Sequence, residues 1–173
     1  MPEISIIEAK AANDVAAVVQ LLRDYLLWMH RRYRERLEIV DAYFEPREWE
    51  SELADLPGHY GAPHGGIVLA LVDGVPAGCV LLRGIGEDSS EMKRLFVRPA
   101  FRGLGLGRRL IEAVMTLSCQ RGYAHMYFES GVLQSEAEAL YRSMGFKRTP
   151  PYYACPTLVR ETGRFYEATP CAA

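Results

Sequence analysis

The chain has 173 residues, 49% of them hydrophobic and 24% charged, with a formal net charge of −2. That length suits one compact domain, residues 1–173, able to bury roughly 70% of its unfolded surface, and the composition excludes a disordered or fibrous chain. The near-neutral balance excludes a broad electropositive face for nucleic acid, while a local basic cluster remains able to hold a small anion.

In chain order, Ile4 to Ile7 is a short β-prone run, and Asn13 offers an N-cap to an apolar stripe at Val15, Val18, Leu22, Tyr25, Met29 and Tyr33. Spacings of three and four predict a long amphipathic helix. LEIVDAYFE reads as irregular and aromatic. A second helix is expected from Pro46, burying Trp49, Leu53 and Leu56 and stopping at Pro57-Gly58. IVLALV and VPAGCVLLRGI flank Asp73-Gly74, a two-residue turn that predicts a hairpin. EMKRLFV, from Glu91 to Val97, adds a strand ended by Arg98-Pro99. A helix from Gly107 to Arg121 closes at Gly122, AHMYFES is a further strand, and Ser135 to Met144 is helical with Gly145 after it. RFYEA is the clearest late strand. This order predicts an α/β fold whose central sheet is mixed and mostly antiparallel, six to seven strands flanked by about four helices.

No window approaches about 18 uncharged apolar residues, and MPEISIIEAK lacks the basic and apolar pattern of a leader, so a cytoplasmic location is expected. Cys79, Cys119, Cys155 and Cys171 stand far apart without a CxxC pair, and are expected as buried free thiols in a reducing compartment. The histidines His30, His59, His64 and His125 are scattered, and no metal site is expected.

VRPAFRGLGLGRRL, residues 97 to 110, joins a strand to a helix through Gly103, Gly105 and Gly107. Such a junction presents backbone N–H groups without intrahelical partners at the positive end of a helix dipole, a site for a phosphate or diphosphate. Arg98, Arg102, Arg108 and Arg109 surround it. The stretch matches neither GxGxxG, since position 108 is arginine, nor the P-loop pattern. Read on its residues alone, it also suits a flexible turn with solvated arginines.

Arg102-Gly103-Leu104-Gly105-Leu106-Gly107, with EMKRLFVRPAFRG before it and ALYRSMGF after it, resembles the Q/R-x-x-G-x-G/A signature of the GCN5-related N-acetyltransferases (GNAT). The resemblance covers nearly the whole chain, is most specific between Val75 and Phe146, and is similar to an uncharacterised bacterial branch that shares the PPYY of residues 150 to 153. It implies a GNAT-like fold and acetyl-CoA, released as coenzyme A, as cofactor. Residues Arg102, Gly103, Leu104, Gly105, Leu106, Gly107 and Arg108 would then grip the pyrophosphate, and Leu95, Phe96 and Val97 would pair with the pantetheine arm and supply an oxyanion-holding N–H. Where the family often has asparagine seven residues before its tyrosine, this chain has Gln134, followed by Ser135.

The resemblance assigns Glu91 as general base and Tyr141 as the acid that protonates the departing sulfur. The residues alone equally allow Glu91 to pair outward with Lys93, and Tyr141 to be a core aromatic. Acceptor choice is expected to lie with the N-terminal helices, among Trp28, Tyr33, Tyr43, Phe44, His59, Tyr60 and His64, with Glu129 able to attract an ammonium group. The implied function is acetyl-CoA-dependent transfer to a primary amine in a ternary complex; the alternative is a non-catalytic acetyl-CoA sensor or interaction module. Expected partners are acetyl-CoA and an amine, small molecule or peptide, with no nucleic acid or membrane and with a homodimer left open.

Overall fold

The computed structural model describes residues 1–134 and 137–171. A seven-stranded sheet in the order β1-β2-β3-β4-β5-β7-β6 runs through it. The strands are β1 (Ile4–Glu8), β2 (Gly66–Val72), β3 (Val75–Gly84), β4 (Ser89–Val97), β5 (His125–Gly131), β6 (Lys147–Arg148) and β7 (Gly163–Ala168). Every pair is antiparallel except β4 with β5. A parallel pair needs a crossover, and the helix α5 (Leu106–Gln120) supplies it.

Helices cover both faces of the sheet. On one side α5 and α6 (Glu138–Ser143) bury Leu110, Ile111, Val114 and Tyr141 against Val80, Leu82, Met92 and Phe128. On the other, α1 (Ala12–Arg32), α2 (Leu37–Tyr43), α3 (Pro46–Ala54) and α4 (Leu56–Tyr60) close over Leu69, Cys79, Leu81 and Phe96. With α7 (Thr157–Thr162), the described residues hold seven α-helices and a 3-10 turn at Pro99–Phe101, more than the four expected. None of these helices is long and apolar enough to cross a membrane.

The extra helices are short, and the physical reasons are local. α1 starts at Ala12 after Ala11, whose side chain makes no capping bond, so Asn13 lies inside the first turn rather than at the cap. α2 replaces the irregular segment: it buries only Ile39 and Val40 and has no side-chain cap, too little periodicity to be visible in sequence. The helix from Pro46, capped by Glu45 accepting from the Glu48 amide at 2.8 Å, breaks at Asp55. There Asp55 accepts from the Gly58 amide at 3.0 Å and starts α4, with Pro57 in its first turn. Pro57-Gly58 therefore opens a helix instead of stopping one.

The hairpin expectation holds: Asp73 and Gly74 both take positive φ, 50° and 76°, as a turn matched to strand twist requires. Two cysteine expectations fail. Cys119 and Cys171 are disulfide-bonded across 52 residues of sequence, Cα–Cα 5.1 Å, and Cys155 is only half-buried. Antiparallel pairing of Met126 with Ala168 brings the chain end back to the C-terminus of α5, a proximity invisible in the spacing. Cys79 alone is the buried thiol expected, and burial pushes it up to about 12.

Candidate active site

β4 and β5 pair only at Ser89–His125, Ser90–Met126 and Glu91–Tyr127, and then separate. A bulge accounts for the parting: the β3–β4 register shifts between Cys79 and Leu81, opposite Arg94, which has a φ of 58°. An extra residue in one strand bends it and raises its twist. It also breaks the alternation, so Glu91 and Lys93 before the bulge and Arg94 and Phe96 after it all face the α1–α4 side. Val97 and Leu95 face the α5 side.

A cleft of about 550 Å³ occupies the opening. Leu95, Phe96 and Val97 form its floor along the unpaired edge of β4, and Tyr141 and Leu140 of α6 form a wall. At its mouth stand Arg102, Gly103, Gly105, Leu106, Gly107 and Arg108, whereas Leu104 points outward, 36% exposed. Gly103 and Gly105 take φ of 84° and 74°, conformations that would strain most other residues, while Gly107 lies within the helix. The first helical bond of α5 runs from the Arg109 amide to the Gly105 carbonyl at 3.2 Å. The amides from Gly105 to Arg108 are thus left without helical partners at the dipole's positive end.

Not every arginine of the motif serves this mouth. Arg98 is turned to Asp24 of α1 at 2.7 Å and to the Pro76 carbonyl, which removes it from the expected cluster. Arg102 lies 5.0 Å over the Trp28 ring, which also carries Arg32 at 5.6 Å. Arg108 bonds the Ser143 hydroxyl at 2.8 Å, and Arg109 is exposed outside the cleft lining.

Tyr141, 7% exposed, packs edge-on to Phe128 at 4.5 Å with Tyr166 at 5.5 Å, so it is at once a core aromatic and a lining residue of the cleft. Gln134 borders the cleft and accepts from the Gly131 amide at 3.1 Å while its Nε2 reaches Met29 Sδ at 3.1 Å. Ser135 lies outside the described residues.

Behind the cleft, the α1–α4 side holds a buried carboxylate, Glu91, and a half-buried one, Glu129, with different surroundings. Glu91 accepts from Arg83 Nε at 2.6 Å and from the Tyr152 hydroxyl at 2.7 Å, with Lys93 Nζ at 3.7 Å. It is therefore not the outward glutamate that its sequence allowed, although it does meet Lys93. Burial pushes Lys93 down to about 8 against the opposing pull of Glu91. Glu129 accepts from the Tyr153 hydroxyl at 2.5 Å, and burial pushes it up to about 7, against that hydrogen bond. Both tyrosines are raised, chiefly by burial and further by their carboxylates, and stay donors.

Of the residues expected to face an acceptor, Trp28 lines the cleft, and Tyr33, Tyr43 and Glu129 line a second cavity that shares Gln134 with it. Phe44 packs on Arg94 at 4.8 Å, Tyr60 is buried, and His59 and His64 sit exposed on and just after α4. Sequence reasoning passed over Arg83, Tyr152 and Tyr153, although the PPYY run carrying the tyrosines was conspicuous.

An unpaired strand edge, apolar floor and helix N-terminus in line suit an extended carrier with a phosphate at one end and a reactive acyl group at the other; fold and cleft together define an acyltransferase. The acetyltransferase (GNAT) family model matches residues 16–146. An uncharacterised N-acetyltransferase of Schizosaccharomyces pombe is 40% identical over 155 residues, 88% of this chain and 88% of that protein. The IAA acetyltransferase of Azospirillum brasilense is 32% identical over 153 residues, 88% of this chain and 90% of its own. The crystal structure of the PaiA N-acetyltransferase of Thermoplasma acidophilum, in complex with coenzyme A, shares the fold with a TM-score of 0.69 at 16% identity, covering 96% of this chain and 99% of that one. The chain belongs to the GNAT family of acetyltransferases. With a yeast relative so similar, the likeness is not confined to a bacterial branch.

Proposed function

We propose that the protein is an acetyl-CoA-dependent N-acetyltransferase that moves the acetyl group to a primary amine directly, within a ternary complex. The observation that carries the proposal is the parting of β4 from β5 over the free amides of α5, with Tyr141 in the wall between. The residues present fit the cofactor: side chains at Gly103 and Gly105 would stand where a phosphate must approach the backbone, and the floor at Leu95, Phe96 and Val97 is apolar.

When bound, acetyl-CoA supplies a thioester whose carbonyl carbon bonds the amine nitrogen as the C–S bond breaks. The amides of Gly105 to Arg108, with Arg102 and Arg108, hold its pyrophosphate, and the open edge of β4 at Leu95 to Val97 holds its arm and offers an N–H to the developing oxyanion. Gln134, already engaged with Gly131, limits the arm on the far side. Tyr141 keeps a phenolic proton at the wall and gives it to the departing sulfur. A carboxylate at the parting of the strands, Glu91 or Glu129, receives the proton that the amine must lose. Among the described residues no cysteine lines the cleft, which supports direct transfer over an acetyl-cysteine intermediate.

Thiol release from acetyl-CoA, followed across small amines and lysine- or N-terminus-bearing peptides, tests the proposal. Turnover with at least one amine is expected; tight acetyl-CoA binding without turnover on any would make the protein a sensor. Gly105→Asp is expected to weaken acetyl-CoA binding about 100-fold in calorimetry and also to lower the melting temperature, because a non-glycine residue is strained at this positive φ. A Cβ added at Gly105 meets no protein atom within 4 Å, and the carboxylate beyond it would oppose the phosphates, where a pair of like charges 4 Å apart costs roughly 1–4 kcal/mol. Unchanged affinity would move the phosphate site elsewhere.

A further inference from the structure

The second cavity has a volume of about 30 Å³, enclosed by Tyr25, Tyr33 and Tyr43 with Met29, Ile39 and Val159. A single water needs about 10–15 Å³, so the space admits two or three water-sized groups. Among the described residues, Glu129 is the only charged one in its lining. One of its oxygens is fixed by Tyr153, and the other lies where a Cβ on Gly163 would come within 2.8 Å, so the absence of a side chain at Gly163 leaves room for the carboxylate. Glu91, by contrast, lines neither the cavity nor the cleft, and both its oxygens are engaged.

We infer that this cavity seats the terminal CH2–NH3+ of an unbranched primary amine, and that Glu129, oriented by Tyr153, takes one proton from its nitrogen. The inference rests on the N-acetyltransferase proposal and deepens it. The N–H bond breaks, its electron pair stays on nitrogen as the lone pair that attacks, and the proton resides on the Glu129 carboxylate; a second proton leaves nitrogen as the C–S bond breaks and replaces the one that Tyr141 gives to sulfur. An ammonium and its methylene fill the volume, and the three rings and the carboxylate suit a cation. A branch at the α-carbon exceeds the volume, and the carboxylate of a free α-amino acid would stand against Glu129.

Around Glu129 the other groups are Lys93, Glu91 and Arg94 from β4, Tyr25 from α1 and Tyr33 just after it, Tyr43 from α2 and Tyr153 from the segment before α7. Of these, Tyr153 makes the direct hydrogen bond to the carboxylate. It is therefore a positioning residue, and its hydrogen bond favours the ionised form of Glu129.

The test compares n-butylamine with its isomer sec-butylamine and with L-alanine, by calorimetric binding to the protein without acetyl-CoA and by kcat/KM with it. n-Butylamine is expected to bind at least 10-fold better than either, and Glu129→Gln to lose at least 10-fold of that binding while acetyl-CoA affinity stays. The kcat/KM profile should rise with pH through the neutral range, and Tyr153→Phe should shift that rise upward while Tyr152→Phe leaves it in place. Equal binding of the two isomers, or unchanged binding in Glu129→Gln, overturns the inference. Selective binding of n-butylamine without any turnover would uphold the cavity assignment and overturn the catalytic proposal instead.

Discussion

Replacing Tyr141 by phenylalanine is expected to lower kcat about 10²–10⁴-fold, the usual contribution of a positioned general acid, while acetyl-CoA affinity changes less than about threefold. The ring remains against Phe128 and Tyr166, and only the hydroxyl, in a residue that lines the cleft, is deleted. A loss confined to kcat is the signature of an interaction made in the transition state rather than in the ground state. A melting temperature kept within a few degrees would show that packing is intact. Full turnover in this variant would remove Tyr141 from the chemistry and return it to the apolar core, where its contacts alone account for its burial.

Legibility in the sequence followed the range of the physics involved. The Asp73-Gly74 hairpin, the long α1 stripe and the glycine junction ahead of α5 are encoded by residues within a few positions of one another, and each formed close to where it was expected. α2 and α4 escaped because short helices are held by tertiary burial of Ile39, Val40, Leu56 and Tyr60 rather than by their own periodicity. The bulge at Arg94 was equally hidden. EMKRLFV alternates plausibly as a plain strand, and nothing in it announces that Glu91 and Arg94, three positions apart, will share one face. The two carboxylate–tyrosine bonds join residues 61 and 24 positions apart and depend on the whole path of the chain between them. Arg98 misled for the same reason, since only the packing of α1 beside β3 reveals Asp24 as its partner.

Glu52→Ala is expected to destabilise the fold by roughly 3–5 kcal/mol, the cost of leaving one member of a buried ion pair uncompensated. At about 2–4 °C per kcal/mol for a chain of this size, the melting temperature should fall by roughly 6–20 °C. Arg94 Nε and Nη2 grip the two oxygens of Glu52 at 2.9 Å each, with side chains 7% and 12% exposed. Its Nη1 is buried without a hydrogen-bond partner among the described residues, and the guanidinium lies 4.8–5.4 Å from the centroids of Phe44, Trp49 and Tyr43. Without Glu52 that cation keeps only the rings. The same pair holds a non-glycine residue at positive φ, strain of about 1–3 kcal/mol that persists only while its surroundings enforce it. Because Tyr43 stacks on Arg94 and also walls the Glu129 cavity, the variant should raise KM for the amine before it touches acetyl-CoA affinity. pH supplies an independent check. Burial would raise Glu52, but Arg94 outweighs it and holds the carboxyl below its ordinary 4.5, so the pair's contribution is complete above that value and fades as pH falls through the lowered one. Urea unfolding should show the gap between wild type and Glu52→Ala narrowing with acid, and replacing both partners, as in Glu52→Leu with Arg94→Met, should recover much of the stability lost by the single change. A single variant as stable as the wild type at pH 7 would mean that the three rings alone hold Arg94, and with it the bulge that parts the strands.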